Sequence, residues 1–307
     1  MCKECHDSGR FCKNYPNSFF SGAPGPDASL WQDRLMSSPS IAVLGAGNLG
    51  LALLSGLHAA DPAANLFAAD PSPERRESAR AAASAVFDDN REAVERADLV
   101  ILAVKPHLIT TVLEGLRPSL RPEHWLVSVA AGVPLAALEA ASSPGRAIVR
   151  AMPNIAMISH ASATALCANG AADERRRQAA LDVFRTVGEA VYVDESQMDA
   201  VTGLSGSGPA YVFLIAEALA DGAVRAGLPP AAARRLAAQT LLGAAQMLLG
   251  SERHPAEWRS QVTTPGGTTI AGLYELERAG VRGALMAAVG AAAERSREMA
   301  KAYGEPR

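Results

Sequence analysis

The stretch that decides the fold is IAVLGAGNLG, residues 41–50. Its first four residues, 41–44, are apolar and predict a short buried strand, and Gly45, Gly47 and Gly50 follow at once. Residues 49–60 then carry apolar side chains in a pattern compatible with a helix. A glycine-rich turn between a strand and a helix is typical of dinucleotide-binding folds, in which the glycines let the pyrophosphate approach and the helix pack on the strand.

Further strands are predicted at residues 65–69, 98–104, 126–130 and 147–151, with helical patterns between them. This alternation predicts an α/β fold with a Rossmann-like, doubly wound parallel sheet. Ligands of such sheets bind at the carboxyl ends of the strands. The expected cofactor-binding residues are therefore Gly45, Ala46, Gly47, Asn48, Leu49, Gly50, Asp70, Ala103, Val104, Lys105, Pro106 and Asn154. For Lys105 and His107, an exposed loop position is favoured over any catalytic role.

The pattern changes after a last strand-like segment, residues 190–193, because helical stretches fill the rest of the chain. The predicted helices 209–226 and 231–249 are apolar on most faces, so they must be buried. A domain of this size can hardly surround them alone, which predicts a helix-swapped homodimer; a monomeric bundle is the alternative. The expected organisation is a disordered extension (1–38), a dinucleotide-binding Rossmann domain (39–195) and an all-α domain for dimerisation and substrate binding (196–307).

A threonine-rich turn, VTTPGGTTIAGL, occupies residues 262–273. Its glycines let backbone N–H groups approach a ligand closely, and free N–H groups at a helix start bind anions such as a carboxylate. The candidate substrate-binding residues are Thr264, Gly266, Gly267, Thr268 and Thr269. The alternative interpretation of Thr269 is a cap at the start of a helix.

Composition excludes several classes of function. The net charge of −3 over 307 residues gives no basic surface for nucleic acid. Residues 41–60 lack charged side chains but contain four glycines and Asn48, which argues against a membrane span. Cys2, Cys5 and Cys12 fit no common zinc site, so no metal is expected, and the lone Cys167 indicates a reducing, cytoplasmic compartment.

Four segments carry a resemblance to a known family: residues 103–106 (AVKP), 149–154 (VRAMPN), 202–211 (TGLSGSGPAY) and 263–269 (TTPGGTT). From residue 40 to about 300 the chain resembles pyrroline-5-carboxylate reductase, the last enzyme of proline synthesis. The resemblance implies hydride transfer from NAD(P)H to the C=N carbon of 1-pyrroline-5-carboxylate. It also implies a Thr269 hydroxyl against the ring nitrogen, Glu252 near the substrate, Asn90 near the cofactor, and dimers that assemble into larger rings. Residues 155–156 are Ile-Ala where the family commonly has Thr-Pro.

Asp70 should favour NADH because its carboxylate would repel a 2′-phosphate. Arg75 and Arg76 lie close enough to offset that repulsion, so use of both NADH and NADPH is expected. Three alternatives remain: a related imine reductase, a 3-hydroxyacid dehydrogenase, and a non-catalytic dinucleotide-sensing regulator. The second resembles a family with a helix-borne lysine in its second domain, but no lysine lies between Lys105 and Lys301.

Overall fold

The computed structural model describes residues 39–303, so the predicted extension at 1–38 lies outside the described residues. Eight strands form one sheet in the order β3-β2-β1-β4-β5-β6-β7-β8, and all neighbours run parallel except β6 and β7. The predicted Rossmann-like, doubly wound sheet is confirmed. The strands are β1 (Ile41–Leu44), β2 (Leu66–Ala69), β3 (Ala85–Phe87), β4 (Leu99–Leu102), β5 (Trp125–Ser128), β6 (Ile148–Met152), β7 (Ser162–Ala168) and β8 (Gly188–Tyr192).

Six helices accompany the strands of the sheet. They are α1 (Asn48–Ala60), α2 (Pro73–Ala79), α3 (Asn90–Val94), α4 (Ile109–Leu116), α5 (Leu135–Ser142) and α6 (Glu174–Arg185). Only helices follow β8, as the change of pattern predicts. They are α7 (Met198–Val201), α8 (Gly208–Arg225), α9 (Pro230–Leu249), α10 (Pro255–Gln261), α11 (Thr268–Arg278) and α12 (Val281–Lys301), with one π-helical turn, Thr202–Gly206, between α7 and α8. The division into domains near residue 195 stays a prediction.

Helices cover both faces of the sheet because its central strands are apolar on both faces. Ile41 and Val43 of β1 pack in one core with α1 and α6, whereas Ala42 and Leu44 pack in a second core with α4 and α5. All four side chains are buried. Such continuous apolar strands are typical of parallel sheets with helices on each side. Around β1, the polar groups that can face a ligand are therefore found where the strands end.

Strand β7 runs antiparallel to β6 because the connection between them is short. Residues 153–161 contain only a 3₁₀ helix, Ile155–Ser159, and His160 closes the turn in the left-handed conformation, with φ of 53°. A parallel crossover needs a dozen or more residues, usually with an α-helix. The sequence pattern did not predict β7, nor the three-residue strand β3 and the short helix α3 that follows it.

The stretch at 41–60 that resembles a membrane span in composition divides into β1 and α1. Within residues 39–303, none of the helices is both long and apolar enough to cross a membrane.

At the amino edge of the sheet, His124 is buried between two arginines. Its Nδ1 accepts a hydrogen bond from the Arg121 N–H at 3.0 Å, and the Arg146 guanidinium donates to the His124 carbonyl at 2.6 Å. Burial, together with the positive charges of Arg121 and Arg146, holds the pKa of His124 below its usual range. The folded protein therefore keeps this imidazole neutral at pH values where the unfolded chain protonates it.

We predict that stability falls as the pH drops below about 6.5, the ordinary pKa of histidine, because the unfolded state then binds a proton that the folded state excludes. Each unit of lowered pKa is worth about 1.4 kcal/mol. His124→Asn keeps an acceptor for the Arg121 N–H but does not titrate, so it should lose less stability between pH 7 and pH 5. Urea midpoints at fixed protein concentration measure this. An equal loss in both proteins would contradict the assignment.

Candidate active site

The turn after β1 is held against the ends of β2 and β4. The Gly45 N–H donates to the Ala69 carbonyl at 2.8 Å, and Gly45 has a φ of 99°, a left-handed value that favours glycine. A Cβ atom at this position would lie 2.7 Å from the Ala103 carbonyl oxygen. The first glycine of the motif is therefore required both by backbone conformation and by close contact with β4.

The other two glycines show where a ligand fits. A Cβ atom at Gly50 would overlap the Gly45 carbonyl oxygen, so this glycine lets α1 pack on the turn. A Cβ atom at Gly47 would meet nothing within 4 Å, so this side of the loop faces open space. The first N–H groups of α1 point to the same edge, and helix starts of this kind bind phosphate. The loop fits the pyrophosphate of a dinucleotide.

Asp70 is buried beside this loop and supports it directly. One carboxylate oxygen accepts the Ala46 N–H at 2.8 Å, and the other accepts the Ser72 N–H at 2.9 Å. Arg75 lies at the rim, with its guanidinium 3.7 Å from the carboxylate, and the Arg76 guanidinium donates to the Asp70 carbonyl at 2.9 Å. The residue predicted to contact an adenosine ribose thus also shapes the phosphate loop. The sequence pattern did not reveal this second role.

The remaining residues predicted along this edge occupy the ends of neighbouring strands. Ala103 and Val104 follow β4 and flank Gly45, whereas Lys105 is exposed and Pro106 opens a 3₁₀ helix. Asn90 is the first residue of α3, just beyond β3, and is half-buried. The structure therefore gathers the predicted cofactor residues from β1 to β4 along one crevice. Their contacts with a cofactor stay predictions.

Asn154, beyond the end of β6, uses its side chain in contacts within the protein. Its Oδ1 accepts the Ala156 N–H at 3.0 Å and so caps the 3₁₀ helix. Its Nδ2 donates to the Ser205 carbonyl in the π-helical turn at 3.0 Å. This amide therefore joins the crevice to the helices that follow the sheet, a contact that sequence reasoning missed.

An open cavity of about 280 Å³ lies between α1 and the turn after β6. Exposed Ile158 and His160 belong to its wall. Its full lining is Asn48, Leu51, Ala52, Ser55, Met157, Ile158 and His160. Only Asn48 among these was a predicted site residue. In the sequence, this region is marked by residues 155–156, which are Ile-Ala where the family commonly has Thr-Pro.

The threonine turn opens α11, and three of its four threonine hydroxyls are free. The cap position of α11 is Gly267, which makes no side-chain hydrogen bond. Among the described residues, the hydroxyls of Thr264, Thr268 and Thr269 have no hydrogen-bond partner, whereas Thr263 donates to the Arg259 carbonyl. Within one chain, the alternative interpretation of Thr269 as a helix cap is therefore wrong.

Within a single chain, the threonine turn and the crevice of the sheet are not joined. No hydrogen bond or ion pair in residues 39–303 links residues 252–270 to the strand ends. Glu252, Thr264 and Thr268 are exposed. The crevice of the sheet and the threonine turn, which are the two halves of the predicted site, are thus both open and lie on separate parts of the chain.

The described residues provide neither a reactive thiol nor a cluster of metal ligands. Burial raises the pKa of the Cys167 thiol to about 12, so it is protonated and unreactive at neutral pH. Within residues 39–303, no three His, Cys, Asp or Glu side chains lie close enough to hold a metal ion.

Two family models match the chain. The model for pyrroline-5-carboxylate reductase dimerisation matches residues 195–299, and that for an NADP oxidoreductase, coenzyme F420-dependent, matches residues 40–132. The pyrroline-5-carboxylate reductase of Pseudomonas aeruginosa is 44% identical over 273 residues, which cover 88% of this chain and 100% of that relative. The chain belongs to the pyrroline-5-carboxylate reductase family. The resemblance in the sequence motifs is confirmed.

Solved structures of pyrroline-5-carboxylate reductases share the fold. The enzyme from Coxiella burnetii matches with a TM-score of 0.81 and 36% identity, over 85% of this chain and 98% of that one. The pyrroline carboxylate reductase of Plasmodium falciparum, solved with NADP bound, matches with a TM-score of 0.77 and 29% identity, over 86% of this chain and 99% of that one. Similarity to pyrroline-5-carboxylate reductases thus extends over the sheet and the helices.

Proposed function

We propose that this protein reduces 1-pyrroline-5-carboxylate to L-proline with NADPH or NADH, the last step of proline synthesis. The proposal rests on two features that occur together in this member of the family. One is the open dinucleotide loop at Gly45–Gly50, and the other is the open threonine turn with free hydroxyls at Thr264, Thr268 and Thr269. The first suits a pyrophosphate, and the second suits a small carboxylate. A reductase of a small imino acid needs both.

The residues of the sheet hold and orient the cofactor. When bound, NAD(P)H supplies the hydride and leaves as NAD(P)⁺. The N–H groups at the start of α1 would hold the pyrophosphate, and Asp70 keeps the loop in shape by accepting the Ala46 N–H. The ends of β4 and β6 border the remaining part of the crevice. These residues orient the reacting carbon instead of taking part in the chemistry.

The threonine turn orients the substrate. The N–H groups of Thr268 and Thr269 at the start of α11 would bind the carboxylate, whereas the Gly267 N–H donates to the Thr264 carbonyl at 3.1 Å within the turn. A cyclic imine is readily protonated, so the site needs no strong protein acid. As the hydride reaches the C=N carbon, the electron pair of the double bond moves onto the nitrogen. The Thr269 hydroxyl would donate a hydrogen bond to this new lone pair, which stabilises the transition state.

A second copy of the chain completes the site in this proposal. Phe213 and Leu214 of α8 are each about two-thirds exposed, and Leu249 at the end of α9 is 80% exposed. A cavity of about 760 Å³, which both α8 and α9 line, is open. Apolar helices of a partner would cover these faces, consistent with the dimerisation model over residues 195–299. The threonine turn of one subunit would then meet the crevice of the other, and such dimers would assemble into rings.

The cysteines support a proposal for the compartment. Cys167 is free, and it is the only cysteine of residues 39–303, so this part of the chain holds no disulfide. This supports a reducing compartment, and we place the protein in the cytoplasm.

Oxidation of NADPH and of NADH by the purified protein with 1-pyrroline-5-carboxylate tests the function directly. The expected result is turnover, with proline identified as the product. A 3-hydroxyacid dehydrogenase would instead respond to a hydroxy acid with NAD⁺, and a sensor would bind the dinucleotide without turnover. Other cyclic imines serve as competing substrates, and a preference for one of them would contradict the substrate assignment.

The proposed dimer leads to a first prediction. Phe213→Glu places a charge on the exposed face of α8, so it should break the dimer and abolish turnover, because each site would lose the partner's turn. Val191→Glu is the control, since Val191 is 57% exposed, against 66% for Phe213, but lies on β8, outside the helices. Sedimentation at micromolar concentration measures both. A folded, stable wild-type monomer, or a dimer of the Phe213 variant, would refute the arrangement.

The free hydroxyl of Thr269 leads to a second prediction. Thr269→Ala should lower kcat and kcat/KM together by roughly 10- to 100-fold, the range for a hydrogen bond to a charged group. The melting temperature should stay unchanged, because the hydroxyl makes no hydrogen bond within the chain. Thr269→Ser should restore most of the rate. Thr263→Ala is the control, since its hydroxyl is bonded to Arg259. A destabilised but fully active Thr269→Ala protein would give Thr269 a structural role.

Asp70 leads to a third prediction, on cofactor choice. Asp70→Ser should raise the ratio of kcat/KM for NADPH to that for NADH, because the carboxylate that repels a 2′-phosphate is gone. Stability should fall by about 1–3 kcal/mol, since the Ala46 and Ser72 N–H groups lose their charged acceptor. Asp98→Asn is the control: Asp98 accepts two hydrogen bonds from Ser40 at the opposite edge of the sheet. An unchanged cofactor ratio in Asp70→Ser would show that Asp70 does not contact the ribose.

A further inference from the structure

The carbonyl of Ser205 lacks the donor that a regular helix would give it. In an α-helix this oxygen would accept the N–H of the residue four positions later, which is Pro209, and proline has no N–H. The chain forms a π-helical turn at this point, in which the Ser207 N–H donates to the Thr202 carbonyl at 2.9 Å. The Ser205 carbonyl instead receives its hydrogen bond from Asn154 Nδ2 at 3.0 Å.

Asn154 is fixed at the sheet by two further hydrogen bonds. Its backbone N–H donates to the Ser162 hydroxyl on β7 at 3.1 Å, and its Oδ1 caps the 3₁₀ helix through the Ala156 N–H. Both polar ends of the half-buried side chain are therefore engaged in the protein. The amide forms a bridge from the end of β6 to the turn from which α8 begins.

A second contact holds the same junction independently. Arg150, buried on β6, pairs with Glu195 at 3.4 Å, and Glu195 also accepts the Leu135 N–H at 2.7 Å. This pair attaches β6 to the segment that precedes α7. Loss of the Asn154 bridge should therefore loosen the turn at residues 202–206 without separating the helices from the sheet.

We propose that Asn154 is a positioning residue, which sets the orientation of α8 relative to the crevice by supplying the donor that Pro209 cannot. The kinetic part of this inference rests on the proposed function, in which α8 carries the dimer face and so places the partner's threonine turn at the crevice. A bridge between β6 and α8 would then set the distance between the two halves of the site. Asn154 would act through this geometry and not through contact with the cofactor.

Hydrogen exchange tests the bridge without reference to activity. Asn154→Ser keeps a short oxygen for the cap, adds no charge and loses the donor to Ser205. Amide exchange across residues 202–207 should accelerate roughly 3- to 10-fold, the factor that corresponds to one hydrogen bond. The control is Asn169→Ser, which removes hydrogen bonds to Ile148, Arg146 and Glu139 at the opposite edge of the sheet. Equal exchange of residues 202–207 in both variants would overturn the bridge.

Pro209→Ala gives a sharper test, because it restores the N–H that a regular α-helix directs at the Ser205 carbonyl. In this background, Asn154→Ser should change the exchange of residues 202–207 less than it does in the wild-type chain. Additive effects in the double variant would overturn the link between Pro209 and Asn154.

Kinetics test the consequence for catalysis. Asn154→Ser should lower kcat roughly 10-fold or more, as small misplacements of reacting groups do. The Kd for NADPH should stay within about two-fold of wild type, and the isotope effect from 4-deuterated NADPH should rise. A parallel loss of NADPH affinity would instead make Asn154 a cofactor contact. Faster exchange in a protein without reductase activity would support the bridge and refute the proposed function.

Discussion

The central strands of the sheet are buried on both faces, and this constraint decides where the chemistry of the protein can lie. Ile41 to Leu44, and the strands on either side of β1, carry apolar side chains toward both cores. A charged or ligand-binding group within these strands would cost several kcal/mol of desolvation. The polar groups for a cofactor are therefore confined to the strand ends, where Asp70 and the glycine loop meet. The crevice follows from the burial of the sheet.

The apolar helices α8 and α9 differ from the central strands, because a single chain leaves their apolar faces exposed. Side chains such as Phe213 and Leu249 stay exposed, and the threonine turn lies apart from the crevice. In the proposed function, a second copy of the chain accounts for both features. In the proposed dimer, catalysis would depend on how the helices are set against the sheet. A shift at the junction between sheet and helices would separate the crevice from the threonine turn even if both kept their structure. A hydrogen bond at this junction could therefore affect catalysis more than its contribution to stability suggests.

The sequence predicted what depends on local pattern. The order of strand, glycine turn and helix at residues 41–60, the carboxyl-edge position of Asp70 and the long helices at 209–249 are all in the structure. Two strands escaped prediction. β3 has three residues, and β7 consists mostly of alanine, serine and threonine, so neither shows hydrophobic alternation. The use of the Asp70 carboxylate by the Ala46 N–H depends on residues 24 positions apart, which no local pattern reveals.

The contact between Asn154 and Ser205 spans 51 positions, yet part of its cause is visible in the sequence. Because Pro209 has no N–H, one carbonyl of the preceding turn lacks its usual hydrogen-bond donor. A partly buried carbonyl without a donor costs free energy, so a group that supplies the missing hydrogen bond stabilises the turn. Helical pattern alone places Pro209 correctly at the start of a helix but says nothing of the donor. Because Pro209 leaves the Ser205 carbonyl without its usual donor, a donor from elsewhere in the chain can take that place. In the structure this donor is the Asn154 side chain.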